Sequence, residues 1–174
     1  NDFRAYNNLG EMAFAAGDVA KAESYFKQAA AKNANAPEVN ANLGLCELVK
    51  NNVASAETYL GKATGANAAN EALGNLYIKQ GQYQRAVNAF GDAKTNSAAQ
   101  AQILAKDYNK AKATLEAIKD KDAMTDYLMA IVGARTNNES LVKSSIKSAI
   151  AKDASLATKA ANDREFAKFA SALK

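Results

Sequence analysis

Histidine is missing from all 174 residues. That absence excludes His-based acid–base catalysis, the Ser-His-Asp arrangement and His-ligated metal sites. The single cysteine, Cys46, excludes an internal disulfide and any thiolate zinc cluster. Lying between Leu45 and Glu47 on an expected helix, it reads as a small packing residue rather than a reactive thiol. One proline in the whole chain favours helix throughout. No run approaches the roughly 18 apolar residues of a membrane span, so membrane insertion is not expected. Gly-x-x-x-x-Gly-Lys and Gly-x-Gly-x-x-Gly loops are both lacking, and no cofactor or metal is expected. Ser140-x-x-Lys143 and Ser144-x-x-Lys147 match the Ser-x-x-Lys string, but its partner motifs Ser-Asp-Asn and Lys-Thr-Gly do not occur. Four residues apart on an amphipathic helix, they read as a polar face. Asp120, Asp122 and Asp126 lack the central Gly and closing Glu of a calcium loop and read as helix caps and solvated loop. The sequon Asn138-Glu139-Ser140 coincides with an expected turn, which explains Asn138 without a sugar. With no nucleophile–base pair in view, no enzyme is expected.

What the chain does contain is a repeat. Gly10, Gly44, Gly74, Ala99 and Ala130 are each followed twelve residues later by Ala22, Ala56, Ala86, Ala111 and Val142. Four further on stand Phe26, Leu60, Phe90, Leu115 and Ile146. The offsets hold in every copy, while the spacing between copies drifts through 34, 30, 25 and 31 residues. A fixed interior with elastic joints is what stacked helical hairpins require, and such solenoids mostly bind other proteins. Alanine, about a quarter of the chain, gives helices that are stable and thin. In the first hairpin the pattern predicts helices over residues 4–15 and 19–32, joined at Gly17-Asp18. The equivalent turns are Asn51-Asn52, Gly81-Gln82, Lys106-Asp107 and Asn137-Asn138. Tyr6, Leu9, Gly10 and Ala13 form the stripe expected to bury against the second helix, as do Asn70, Leu73, Gly74 and Tyr77 in the third copy. Shortened spacing before the third and fourth copies predicts clipped second helices there.

Tyr6-x-x-Leu9-Gly10 with Ala22-x-x-x-Phe26, and Leu73-Gly74-x-x-Tyr77 with Ala86-x-x-x-Phe90, resemble the tetratricopeptide repeat. The resemblance covers about five copies, the last two degenerate. It implies an all-α fold: a right-handed superhelical solenoid of antiparallel helix pairs. Residues 1–152 are expected to form this array. Residues 153–174 are expected to form C-terminal capping helices at 155–161 and 163–173, with Asp163 as N-cap and Phe166, Phe169 and Leu173 on one apolar face. The array and tail are similar to repeat segments of larger bacterial envelope proteins, which implies a periplasmic or cell-envelope setting. The chain begins at Asn1 rather than Met, so the lack of a targeting segment says nothing.

In such arrays the first helices line a concave groove. The resemblance thus implies a protein- or peptide-binding scaffold whose surface includes Asn7, Glu11, Phe14, Asn42, Leu45, Val49, Glu71, Asn75, Lys79, Tyr127, Ile131 and Arg135. Relatives that clamp a peptide carboxylate use cations and asparagines at positions filled here by Asn7, Glu11, Asn42, Ala68 and Ala72. Only Asn42 agrees, which argues against that use. Nucleic acid is not an expected partner: Glu11, Glu38 and Glu71 stand in the groove, and the net charge of +4 comes from basic residues after 134 that are interleaved with acids. The helix 124–134 carries almost no polar face and needs cover. The C-terminal helices, a second copy of the chain or a partner could supply it over Tyr127, Leu128 and Ile131. The rival reading is therefore a structural module, excised from a larger protein of the cell envelope, that self-associates through the helix around Tyr127.

Overall fold

A computed structural model describes residues 2–171 of the chain. Each first helix ends at a residue in the left-handed region, and the residue after it opens the second helix. Gly17 (φ 83°), Asn51 (61°), Gly81 (72°), Lys106 (65°) and Asn137 (55°) occupy these positions, at the five turns the repeat register predicts. At the first turn, the Asp18 N–H donates to the Ala13 carbonyl and the Gly17 N–H to the Phe14 carbonyl. This Schellman closure satisfies the last carbonyls of the helix. The same two bonds recur at Asn51-Asn52, Lys106-Asp107 and Asn137-Asn138. The side chains of Asp18, Asp107 and Asn138 then cap the next helix by accepting from the N–H of Lys21, Lys110 and Leu141.

The resulting helices are α1 (Phe3–Ala15), α2 (Val19–Lys32), α3 (Pro37–Val49), α4 (Val53–Lys62), α5 (Asn67–Lys79), α6 (Tyr83–Phe90), α7 (Asn96–Leu104), α8 (Tyr108–Ala117), α9 (Ala123–Arg135), α10 (Glu139–Lys152) and α11 (Leu156–Asn162), followed by a 3-10 helix (Arg164–Phe169). The described residues contain no strand. They fall into two compact units, Asn1–Lys79 and Gln80–Lys174. In the first, α1 pairs with α2 and α3 with α4, and α5 follows; in the second, α7 pairs with α8 and α9 with α10. The expected clipping is present: α2 and α10 have 14 residues, α4 has 10 and α6 only 8. α6 stops at Gly91, whose φ of 55° no longer continues a helix.

Small residues mark where helices meet. Ala22, Ala56, Ala86, Ala111 and Val142 are all fully buried. A Cβ on Gly10 would lie 2.4 Å from Phe26, and one on Gly44 would lie 2.6 Å from Leu60. These hairpins therefore close more tightly than alanine permits. Gly74 is also buried. Gly133, outside the repeat pattern, does similar service in α9, where an added Cβ would approach the Val142 nitrogen at 3.0 Å. Cys46 is sealed among Phe26, Val39 and Leu43, and burial pushes its thiol up to about 11, so it packs as a protonated group.

Two expectations are corrected. Leu9 does not lie on the buried stripe but is 42% exposed. α1 turns Gly10 and Ala13 toward α2, which leaves Leu9 on the outer shoulder. The last tail helix is a short 3-10 turn, not an α-helix. It is tightened at its start by the Asp163 carboxylate, which accepts from the Glu165 N–H. Phe166 and Phe169 are buried as expected, and Leu173 lies outside the described residues.

Candidate functional site

In the first unit the early members of the expected surface converge. Glu11, Phe14, Ala15, Asn42 and Leu45 line a cleft of about 170 Å³ whose floor is Phe26. That volume is below the range of small-molecule and cofactor pockets and suits a single apolar side chain. Phe14 and Leu45 supply half-buried apolar walls from α1 and α3.

The rim is polar and its geometry is built. Asn7, one turn before Glu11 on α1, is 5% exposed and donates from Nδ2 to Glu11 Oε1 at 2.7 Å. Asn42 on α3 donates from Nδ2 to Asn7 Oδ1 at 2.9 Å and to Glu11 Oε1 at 3.1 Å. Both amide hydrogens of Asn42 are thus spent within the protein. Asn42 Oδ1 and Glu11 Oε2 have no partner among the described residues. The nearest arginine on α1, Arg4, is held by Asp2 at 2.7 Å. Glu11 and Asn42 therefore offer the cleft acceptors and a negative charge, and neither has a donor in surplus.

The other expected residues of this unit lie farther along the same first helices. Val49 is 61% exposed at the end of α3. On α5, Glu71 and Lys79 are exposed and Asn75 is half-buried. Two cleft residues, Ala15 and Phe26, were not expected. Phe26 is 1% exposed and belongs to the repeat's core pattern, so nothing in its spacing marks it as a floor.

In the second unit one of the three expected covers, the C-terminal helices, is found over Tyr127, and its place on an open binding surface is corrected. Its ring is 2% exposed, covered by α11 and the 3-10 helix rather than open to a second copy. It meets Phe166 edge-on at 5.5 Å, and its hydroxyl donates to Asp163 Oδ2 at 2.7 Å. Burial, and then the Asp163 carboxylate, push the phenol above its ordinary value. Lys159 Nζ stands 4.7 Å from the ring centre. Leu128 is buried with Leu115 and Val132. Ile131 is half-buried against both core clusters of this unit. Arg135 is exposed but committed: it makes a two-pronged ion pair with Glu165, its Nε reaching Oε2 at 2.7 Å. Tyr127 and Arg135 thus hold the C-terminal helices, and self-association has no exposed Tyr127 ring to use.

The acidic cluster has structural work. Asp122 accepts from the Thr125 N–H at 2.7 Å, from its hydroxyl at 2.8 Å and from Asn96 Nδ2 at 3.0 Å, as the N-cap of α9. Asp126 accepts from Ser148 Oγ and pairs with Lys152. Among the described residues no group of histidine, cysteine, aspartate or glutamate is arranged to hold a metal, and no helix is long and apolar enough to cross a membrane.

Comparison with known proteins places the geometry. Tetratricopeptide repeat profiles match residues 13–76 and 69–98. No curated protein sequence matches the chain. Among solved structures, a tetratricopeptide repeat protein from Parabacteroides merdae ATCC 43184 is similar with a TM-score of 0.75 at 18% identity, over 98% of this chain and 76% of that one. PilW, a widely conserved type IV pilus biogenesis factor, is similar with a TM-score of 0.61 at 20% identity, over 99% and 83% of the two chains. TTC0263, a thermophilic repeat protein from Thermus thermophilus, is similar with a TM-score of 0.53 at 16% identity, over 98% of each. At these identities the likeness is one of fold.

Proposed function

Since the chain belongs to the tetratricopeptide repeat family, whose members are in general non-catalytic protein-interaction scaffolds, we propose that it captures a peptide segment of a partner protein on the first helices of its first unit. The observation that carries this reading is the cleft between α1 and α3 with the free acceptors of Glu11 and Asn42 on its rim. One apolar side chain of the peptide fills the space above Phe26. A lysine, arginine or terminal amine beside it pairs with Glu11, and a backbone N–H donates to Asn42 Oδ1. This is the opposite polarity to a carboxylate clamp. The anchor gains from apolar burial, and the charge-assisted bond fixes the register of the peptide. Val49, Asn75, Glu71 and Lys79 extend the contact along α3 and α5 on what we take as the concave face. The helices after residue 152 act as the polar-faced cap of the array, a role supported by the burial of Leu156, Phe166 and Phe169 against α9 and α10.

A random-peptide display library selected on the protein tests this. Enriched peptides are expected to share an apolar residue next to a lysine or arginine. Ala15→Phe, which fills the cleft from an exposed position, should abolish their binding. Glu11→Gln should weaken the basic peptides about tenfold, or roughly 1.4 kcal/mol. Far-UV circular dichroism should be unchanged in both variants. Enrichment of the same peptides on the Ala15→Phe protein would move the site elsewhere.

A further inference from the structure

The first hairpin carries a face that later first helices hide. By repeat register, Ala5, Leu9 and Met12 of α1 correspond to Val39, Leu43 and Cys46 of α3. The α3 residues are 0%, 2% and 0% exposed, because α2 packs across them. The corresponding Thr125 and Val132 of α9, which packs on α8, are likewise buried. In α1, Leu9 is 42% exposed, Met12 is 70% exposed, and Ala5 is open to solvent. Beside them a cleft of about 270 Å³ opens between α1 and α2, with Tyr25 on its far wall and Asp18 and Lys21 at its rim. An apolar face bordered by charged residues is the mark of an interaction surface.

The chain itself defines what such a face receives, since α3 and α9 each take the second helix of the preceding hairpin. A second copy of this chain has no such helix to spare. In the first unit α2 is taken by α3 and α4 by α5; in the second, α6 is taken by α7 and α8 by α9. The outer side of α10, with Ile146 and Ala149, is buried under Leu156, Ala160 and Phe166. We infer that Leu9, Met12 and the adjoining cleft are the seat for the second helix of a further hairpin of this same repeat type, one outside the twelve helices described. In the second unit the outer side of α10 is closed, whereas in the first the stacking face of α1 is open, and this surface is separate from the peptide cleft at Glu11.

The test uses the full chain with a second copy of residues 3–36 fused directly before Phe3, which reproduces the 34-residue spacing of the first two repeats. The unfused chain should be a monomer whose Met12 is oxidised by peroxide at close to the rate of a free methionine. In the fused chain, the original Met12 should be oxidised at least tenfold more slowly, and the thermal midpoint should rise. Leu9→Lys with Met12→Glu in the original hairpin should release the added residues to protease, while the same pair in the unfused chain leaves its unfolding midpoint unchanged. Unaltered Met12 oxidation in the fused chain, or an added hairpin that stays protected beside the Lys and Glu substitutions, would overturn the inference. So would an unfused dimer that Leu9→Lys dissociates, since a second copy would then occupy the face.

Discussion

Replacing Gly10 with alanine adds one methyl group at the tightest contact between α1 and α2. The new Cβ would lie 2.4 Å from Phe26 Cε1 and 2.6 Å from Cδ1, where carbon atoms ordinarily settle at about 3.5–4.0 Å. The overlap is therefore about 1 Å. Phe26 is 1% exposed among Ala13, Ala22, Ala29 and Leu43, and the ring can turn only into the cleft above it. Relief requires α1 to move off α2 or the ring to close that cleft, and the overpacking is set near the upper end of the usual ~1–3 kcal/mol. The better helix propensity of alanine returns about 0.5–1 kcal/mol. The net expectation is a loss of about 2 kcal/mol, roughly thirty-fold in the folding equilibrium. Gly61 provides the opposite case within the same chain. It is exposed near the end of α4 with nothing within 4 Å, so Gly61→Ala should stabilise by about 0.5 kcal/mol. Urea denaturation followed by circular dichroism separates the two. A Gly10→Ala protein as stable as the parent, beside a Gly61→Ala protein that behaves as expected, would refute the close-approach argument.

Tyr127→Phe keeps the edge contact with Phe166 but leaves Asp163 without its phenol donor; a loss of about 1–2 kcal/mol is expected, seen as a lower thermal midpoint and earlier proteolysis within residues 164–169. Acid should weaken the first unit through two carboxylates. Lys27 and then Lys50 hold Glu23 below its ordinary value of 4.5, and Lys50 and then Asn52 do the same for Glu47. The native state thus binds fewer protons than the unfolded one, so this contribution is complete above pH 4.5 and is lost as pH falls through the lowered values. Thermal midpoints measured across that range should fall less steeply for Glu47→Gln, and an unchanged slope would discount the cluster.

Turns and helix pairs were legible because local chemistry sets them. Gly17, Asn51, Gly81 and Asn137 are residue types that tolerate positive φ. Lys106 is not, and it was located only by counting from its neighbours. Leu9 shows where such counting stops: the same residue at the same register is covered in α3 and uncovered in α1, because burial depends on the helix next door. For α9 the sequence announced a helix in need of cover and left the C-terminal helices, a second copy and a partner as candidates. Asp163 and Phe166 reach Tyr127 from 36 and 39 residues away through the path of the tail. The Asn7–Glu11–Asn42 network was invisible for the same reason: its residues were suspected singly, but their bonds depend on how α1 and α3 are rotated about their axes.

The two-residue turns have a bearing on how chain length can change. Asp18, Asp107 and Asn138 each finish one helix and start the next, so a residue inserted there would rotate the following helix by about 100° and swing Ala22, Ala111 or Val142 away from its small partner. Between hairpins no such double duty exists, and the natural spacing already ranges from 25 to 34 residues. Insertions, tags and peptide epitopes should be tolerated at 33–35, 64–66, 92–94 and 118–121, and rejected at the turns inside each hairpin.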